Sequence, residues 1–219
     1  MTSFFDPHQR ATIAAAMARI IPTTDTPGAA EAGTIDFLDG YLAGIDRIYA
    51  KPDGSGFETL SGRRARAWQR RIDILRTTYV DGIADLDRRS RDTYGQPFID
   101  LDADQQDGVL TAVERPGEEA AMNASQAVMG FAPVEPALQQ ASAEISLSFL
   151  ALLALHTRQG FYADPIYGGN RGQVGWQTIG FPGPSSLAEV HTGRYTVIEY
   201  FADGTHEQEM EISHARTQA

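Results

Sequence analysis

Cysteine is absent from the 219 residues. Without thiolates the chain can hold no disulfide, no cysteine nucleophile, no cysteine-ligated iron–sulfur cluster and no Cys-x-x-Cys-His attachment for c-type haem. Electrons of any redox system would have to pass through another chain. Positive charge is also scarce: 18 Lys and Arg against 29 Asp and Glu give a formal net charge of -11, which argues against nucleic-acid binding driven by phosphate neutralisation. Long apolar runs are missing. The longest, Leu147 to Leu155, is interrupted by Ser148 and is far too short to cross a bilayer, so no direct membrane span is expected. The amino terminus, Met1-Thr2-Ser3-Phe4-Phe5-Asp6-Pro7, carries neither a basic n-region nor a twin-arginine pair. By sequence the chain as given reads as cytoplasmic; a leader removed from it, or one supplied by a partner, would make it periplasmic.

Several chemical signatures are lacking too. A dinucleotide site needs a glycine fingerprint between a strand and a helix, but Gly168-Gly169-Asn170-Arg171-Gly172 follows Asp164-Pro165 and no hydrophobic strand. His8, His156, His191, His206 and His214 are scattered without metal-site spacing. Asp100-Leu101-Asp102-Ala103-Asp104 lacks the glycine and closing glutamate of a calcium loop at the right offsets. There is no Gly-x-Ser-x-Gly elbow and no histidine–glutamate zinc helix. No catalytic, cofactor-binding or metal-binding residue is therefore assigned in this chain.

What is there reads as a mainly α chain of one domain, 1–219. It has a helical bundle-like part at 5–160, a long ordered glycine and aromatic loop at 160–185, and a small carboxyl-terminal β-hairpin at 194–212. A hydrophobic content of 42% with 21% charged residues suffices for one sizeable core. Asp6 caps a first helix that carries Ile13, Met17 and Ile20 and stops by Ile21, ahead of Pro22. Thr34 caps a second with Ile35, Leu38, Leu42 and Ile45 on one side, and Gly54-Ser55-Gly56 is a flexible break. Arg63 to Arg91 has Trp68, Ile72, Leu75, Tyr79, Ile83 and Leu86 near helical spacing, with Gly82 as a candidate boundary between two helices. Its arginines read as a solvated face paired with Asp73, Asp81, Asp85 and Asp87. Asp102 caps a helix to about Val113, and Pro116-Gly117 starts another element. Ala137 to Thr157 is expected to be the central buried helix, with His156 in its last turn and Gly160 at its end. Arg194 to Phe201 and His206 to Ile212 pair around Asp203-Gly204.

The loop from Gly160 to Gly183 breaks that pattern. Glycine and proline every few residues exclude a regular helix or strand through it, yet Phe161, Tyr162, Tyr167, Trp176 and Phe181 sit between them. Such an aromatic load does not suit a disordered linker. Asn170 and Arg171, in a Gly-Gly-Asn-Arg-Gly turn, add directed hydrogen bonds.

The run Gly160-Phe161-Tyr162-Ala163-Asp164-Pro165-Ile166-Tyr167-Gly168-Gly169-Asn170-Arg171, ending in Gly175-Trp176-Gln177-Thr178-Ile179-Gly180-Phe181-Pro182-Gly183, closely resembles the signature of the gluconate 2-dehydrogenase subunit 3 family. Ile21-Pro22-Thr23-Thr24-Asp25-Thr26-Pro27-Gly28-Ala29-Ala30-Glu31-Ala32-Gly33 looks like that family's early motif. The resemblance covers roughly residues 5 to 185. It implies a non-catalytic small subunit that binds and stabilises a flavin-dependent sugar or glycoside dehydrogenase and assists its maturation. FAD would lie in a partner of the glucose-methanol-choline oxidoreductase type, and haem c in a third, cytochrome c subunit. Family members typically carry a twin-arginine signal; this sequence departs by lacking one. On that reading Phe161, Tyr162, Asp164, Tyr167, Asn170, Arg171, Trp176 and Phe181 form the partner interface. Two other readings stay open: Asp164, Tyr167, Asn170 and Arg171 could line a carbohydrate pocket of a stand-alone protein, or the chain could be a transient chaperone of the flavoprotein. The loop could equally pack on its own helices, with the interface elsewhere.

Overall fold

A computed structural model describes residues 3–113, 144–181, 183–184 and 187–191. Five longer helices form the body: α1 Pro7–Ile20, α2 Thr34–Ala43, α3 Gly62–Tyr94, α4 Ala103–Val113 and α5 Phe149–Tyr162. Two short ones follow, α6 Val174–Thr178 and α7 Leu187–His191, and no strand occurs among the described residues. The fold is mainly helical, as expected. The expected hairpin at 194–212 and the element beginning at Pro116-Gly117 lie outside the described residues.

Local chemistry explains the helix ends. Asp6 accepts from the Gln9 amide at 2.8 Å while the Gln9 side chain returns to the Asp6 amide at 3.2 Å, a reciprocal cap with Pro7 in the first turn. Asp102 and Gln105 repeat the device at the start of α4. Thr34 does not cap α2. Gly33 takes that position in a left-handed conformation (φ 64°), and the Thr34 hydroxyl instead donates to the Ala29 carbonyl at 2.5 Å. α2 stops at Ala43, so Ile45 falls in a 3-10 turn, Ile45–Arg47. The break around Gly54-Ser55-Gly56 is a closed turn: Ala50 and Phe57 form an antiparallel bridge, and the Lys51 amide donates to Gly56 at 2.8 Å.

α3 is one uninterrupted helix of 33 residues, about 50 Å long. Gly82 is not a boundary in it. A Cβ there would lie 2.1 Å from the Phe149 ring, so the glycine is a notch through which the first turn of α5 approaches α3. Ser148 caps α5 by accepting from the Ala151 amide, so within the described part of the expected 137–157 helix the continuous run begins at Phe149; 137–143 lie outside the described residues. Its end also differs from expectation: α5 runs through Gly160 to Tyr162 because Gly160 faces α2, where a Cβ would meet Phe37 and Thr34 at 3.1 Å. His156 is consequently buried in mid-helix and does not close the last turn.

α5 is central, packed on α1, α2 and α3. Ile13, Met17, Leu38, Leu42, Leu75, Leu86, Leu152 and Leu153 are buried in one core. The α3 arginines are only partly a solvated face. Arg88 and Arg89 pair with Asp85, Arg76 with Asp73 and Arg91 with Asp87. Arg76 also closes the end of α2, donating to the Leu42 and Ala43 carbonyls at 2.8 Å each, and Arg71 turns inward.

Candidate functional site

The glycine and aromatic loop is laid directly against α2 and α5. A Cβ at Gly169 would lie 2.1 Å from the Gly160 carbonyl oxygen, and one at Gly175 1.9 Å from that of Phe161. Only glycine permits this backbone-to-backbone approach. The loop is not free of helix: 3-10 turns at Pro165–Tyr167 and Arg171–Gln173 and the five-residue α6 alternate with the glycines. Asn170, fully buried at φ 48°, holds the bend. Its side-chain Nδ2 donates to the Ala163 carbonyl at 3.0 Å and its side-chain Oδ1 accepts from the Gly175 amide at 2.9 Å.

Arg171 joins this loop to the early bend. Its amide donates to the Ala32 carbonyl at 2.9 Å, and its guanidinium reaches Asp36 at 2.5 Å. Asp36 also pairs with Arg10, which holds Asp39 at 2.9 Å, and Asp39 accepts from the Phe4 and Phe5 amides. The early bend is tied by its own short contacts, with Glu31 accepting from the Gly28 amide and the Thr23 hydroxyl. These bonds hold the Glu31 carboxyl below its usual range, the Thr23 hydroxyl foremost. The two glycine-rich stretches therefore meet in space.

The eight loop residues singled out from the sequence divide in the structure. Phe161, Asn170 and Trp176 are buried within the chain; Trp176 donates to the Tyr162 carbonyl at 2.7 Å and meets Phe181 edge-on at 5.4 Å. Tyr162 is exposed and Arg171 keeps 65% of its side chain in solvent. Asp164 accepts from the Ile166 amide at 2.9 Å, and together with Tyr162 and Tyr167 it lines a cavity of about 490 Å3. Asn170 and Arg171 do not line it.

The opposite wall was not legible from the loop. It consists of Phe37 and Tyr41 from α2, Tyr49, and Trp68 and Arg71 from α3, with Glu144 beside them. Tyr167 is fixed there by the Ala50 amide, which donates to its hydroxyl at 3.1 Å. Arg71 lies over the Trp68 ring at 4.5 Å and pairs with Glu144. Behind them His156 Nε2 stands 2.5 Å from Glu144 Oε1, and His156 Nδ1 stands 2.8 Å from the Tyr79 hydroxyl. Burial first, and then Arg71, push His156 well below its ordinary value, so the ring is neutral. A carboxylate only accepts, so Nε2 carries the proton toward Glu144 and Nδ1 accepts from Tyr79. Burial pushes the Tyr41 phenol up to about 12 against the opposing influence of Arg71, so it too stays protonated and faces Glu144 at 3.4 Å. The pocket thus has aromatic walls and a polar floor in which His156 is neutral, Tyr41 keeps its proton and the Glu144 carboxylate is paired with Arg71.

Among the described residues no helix is long and apolar enough to cross a membrane. Comparison with curated proteins and with solved structures finds no match for the chain. The family model described as gluconate 2-dehydrogenase subunit 3 matches residues 7–183, from the first residue of α1 to the last glycine of the loop. That span contains both glycine-rich stretches and the ion pairs that join them, and the chain belongs to the gluconate 2-dehydrogenase subunit 3 family.

Proposed function

We propose that this chain is a non-catalytic small subunit that binds and stabilises a flavin-dependent sugar or glycoside dehydrogenase. Family membership makes it a subunit, and a subunit has partners. The observation that carries the finer reading is the way the loop is built. Phe161, Asn170 and Trp176 are used internally, and the rigid platform they make presents Tyr162, Arg171 and the 59% exposed Ile179 to solvent. Exposed aromatic, arginine and branched apolar groups on a preformed surface suit a protein interface, since little side-chain order has to be imposed on binding. In this reading FAD belongs to a glucose-methanol-choline-type catalytic partner, and electrons leave through a cytochrome c subunit.

Co-expression of the chain with a glucose-methanol-choline-type flavoprotein from the same source tests the reading. Size-exclusion chromatography with flavin absorbance and dye-reduction activity read across the peak should show one complex, with activity lost when this chain is omitted. Ile179→Asp, at an exposed side chain, should weaken or dissociate the complex while leaving the helical circular dichroism of the free chain unchanged. A flavoprotein equally soluble and active alone refutes the accessory role. A small subunit needed during expression but missing from the active peak makes it a transient chaperone instead.

A further inference from the structure

We infer that the cavity between α2, α3 and the glycine-rich loop is a binding site for an uncharged pyranoside, carried by this chain itself. The inference does not depend on the flavoprotein partnership, because every residue it uses lies in this chain.

Three observations select that chemistry. First, the walls are aromatic on both sides, with Phe37, Tyr41 and Trp68 facing Tyr162 and Tyr167 across about 490 Å3, a volume within the usual range for small-molecule sites, roughly 300–1,000 Å3. The axial C–H faces of a pyranose stack on such rings. Second, the ionic groups cancel. Arg47 and Arg71 are matched by Glu144 and Asp164, so the site carries no excess charge to attract a phosphate, a carboxylate or a cation. Third, the polar edges are interleaved donors and acceptors: a guanidinium, a carboxylate, the Gln159 carboxamide and phenols. A ring that alternates C–H faces with equatorial hydroxyls offers both kinds of partner to such a lining.

The polar groups are also held before any ligand arrives. Arg47 donates to the Ile166 carbonyl at 3.0 Å, Arg71 is pinned between Glu144 and the Trp68 ring, and Glu144 is oriented by His156. Preorganisation of this kind lowers the cost of binding a small ligand.

The test is a titration of the full chain with methyl α-D-glucopyranoside and methyl β-D-glucopyranoside, with glucuronate and inorganic phosphate as charged probes. Tryptophan fluorescence and saturation-transfer NMR are the readouts. We expect saturable binding of at least one glucoside with a Kd of about 1 mM, the affinity a ligand of this size reaches at ordinary efficiency. Trp68→Ala should weaken it at least tenfold. Gln159→Leu, which leaves the aromatic walls in place, should weaken it several-fold with the thermal melt unchanged, and so separates a lost contact from a lost fold. No saturable glucoside binding overturns the inference, and so does tighter binding of glucuronate or phosphate than of either glucoside. Glucoside binding that disappears in the purified flavoprotein complex also overturns it, since the cavity would then be a socket for the partner.

Discussion

Replacing Arg71 by methionine tests the account of the pocket floor most sharply. Arg71 and Glu144 pair with side chains 10% and 3% exposed, so water and salt screen them little. Methionine keeps most of the aliphatic volume and removes the charge, leaving the Glu144 carboxylate buried with only the neutral hydrogen bonds from His156 and Tyr41. Breaking a buried pair from one side costs about 3–5 kcal/mol, and the lost stacking on Trp68 adds up to roughly 1 kcal/mol. Taking about 4 kcal/mol with a urea m-value of about 3 kcal/mol/M, the unfolding midpoint falls by about 1.3 M at neutral pH. Removing both charges in Arg71→Met/Glu144→Gln should recover at least half of that loss, because no ion is then left unpaired and the carboxamide oxygen still accepts from His156. Equilibrium urea unfolding followed by circular dichroism measures both. A shift of less than about 0.3 M for the single variant, or a double variant worse than Arg71→Met, would falsify the argument.

His156 gives a pH dependence. Its folded-state value lies below its ordinary one because of burial and Arg71. Only the unfolded chain takes up its proton as the pH drops, so this contribution to stability is complete above about pH 6.5 and falls on the acid side by up to about 1.4 kcal/mol per pH unit. His156→Gln should flatten melting temperature against pH between neutral and mildly acidic conditions, and an unchanged slope sinks the assignment. Gly82→Ala drives a methyl into the Phe149 ring at 2.1 Å and should destabilise by about 2 kcal/mol in thermal melts. Adding Phe149→Leu should restore part of it, and a Gly82→Ala chain as stable as the parent contradicts the notch. Asn170→Ala forfeits two buried hydrogen bonds at a left-handed residue and should cost about 2–3 kcal/mol. Hydrogen exchange across 160–181 should speed up first; exchange rising uniformly over the helices would instead mean that the loop is not a separate unit.

Several features that depend on neighbouring residues were legible, although Gly33 and not Thr34 caps α2. Asp6 and Asp102 announce their helices because a cap acts within one turn, and Pro22 ends α1 because its ring acts on the residue before it. Gly82 and Gly160 misled for the opposite reason. Each reads as a helix breaker by propensity, yet each is required where another element touches the helix, information that lies 67 positions away for Gly82 and Phe149 (149 − 82). The loop's importance showed in its composition, but its division into buried Phe161, Asn170 and Trp176 and outward Tyr162 and Arg171 did not. Arg71 was hidden among the α3 arginines. Its position four residues before the buried Leu75 and three after Trp68 was the available sign that it faces the core side.

The contact between Arg171 and Asp36 spans 135 positions. Closing a chain segment of that length costs about 4 kcal/mol in loop entropy, so this clasp forms only after nearby helices have already docked. On a ribosome the amino-terminal helices emerge long before residue 171, and the surface of α2 that the loop covers stays bare until then. The finished clasp reports only that synthesis has passed residue 171: on the proposed interface, a partner would engage chains made past the loop and ignore those cut short before it.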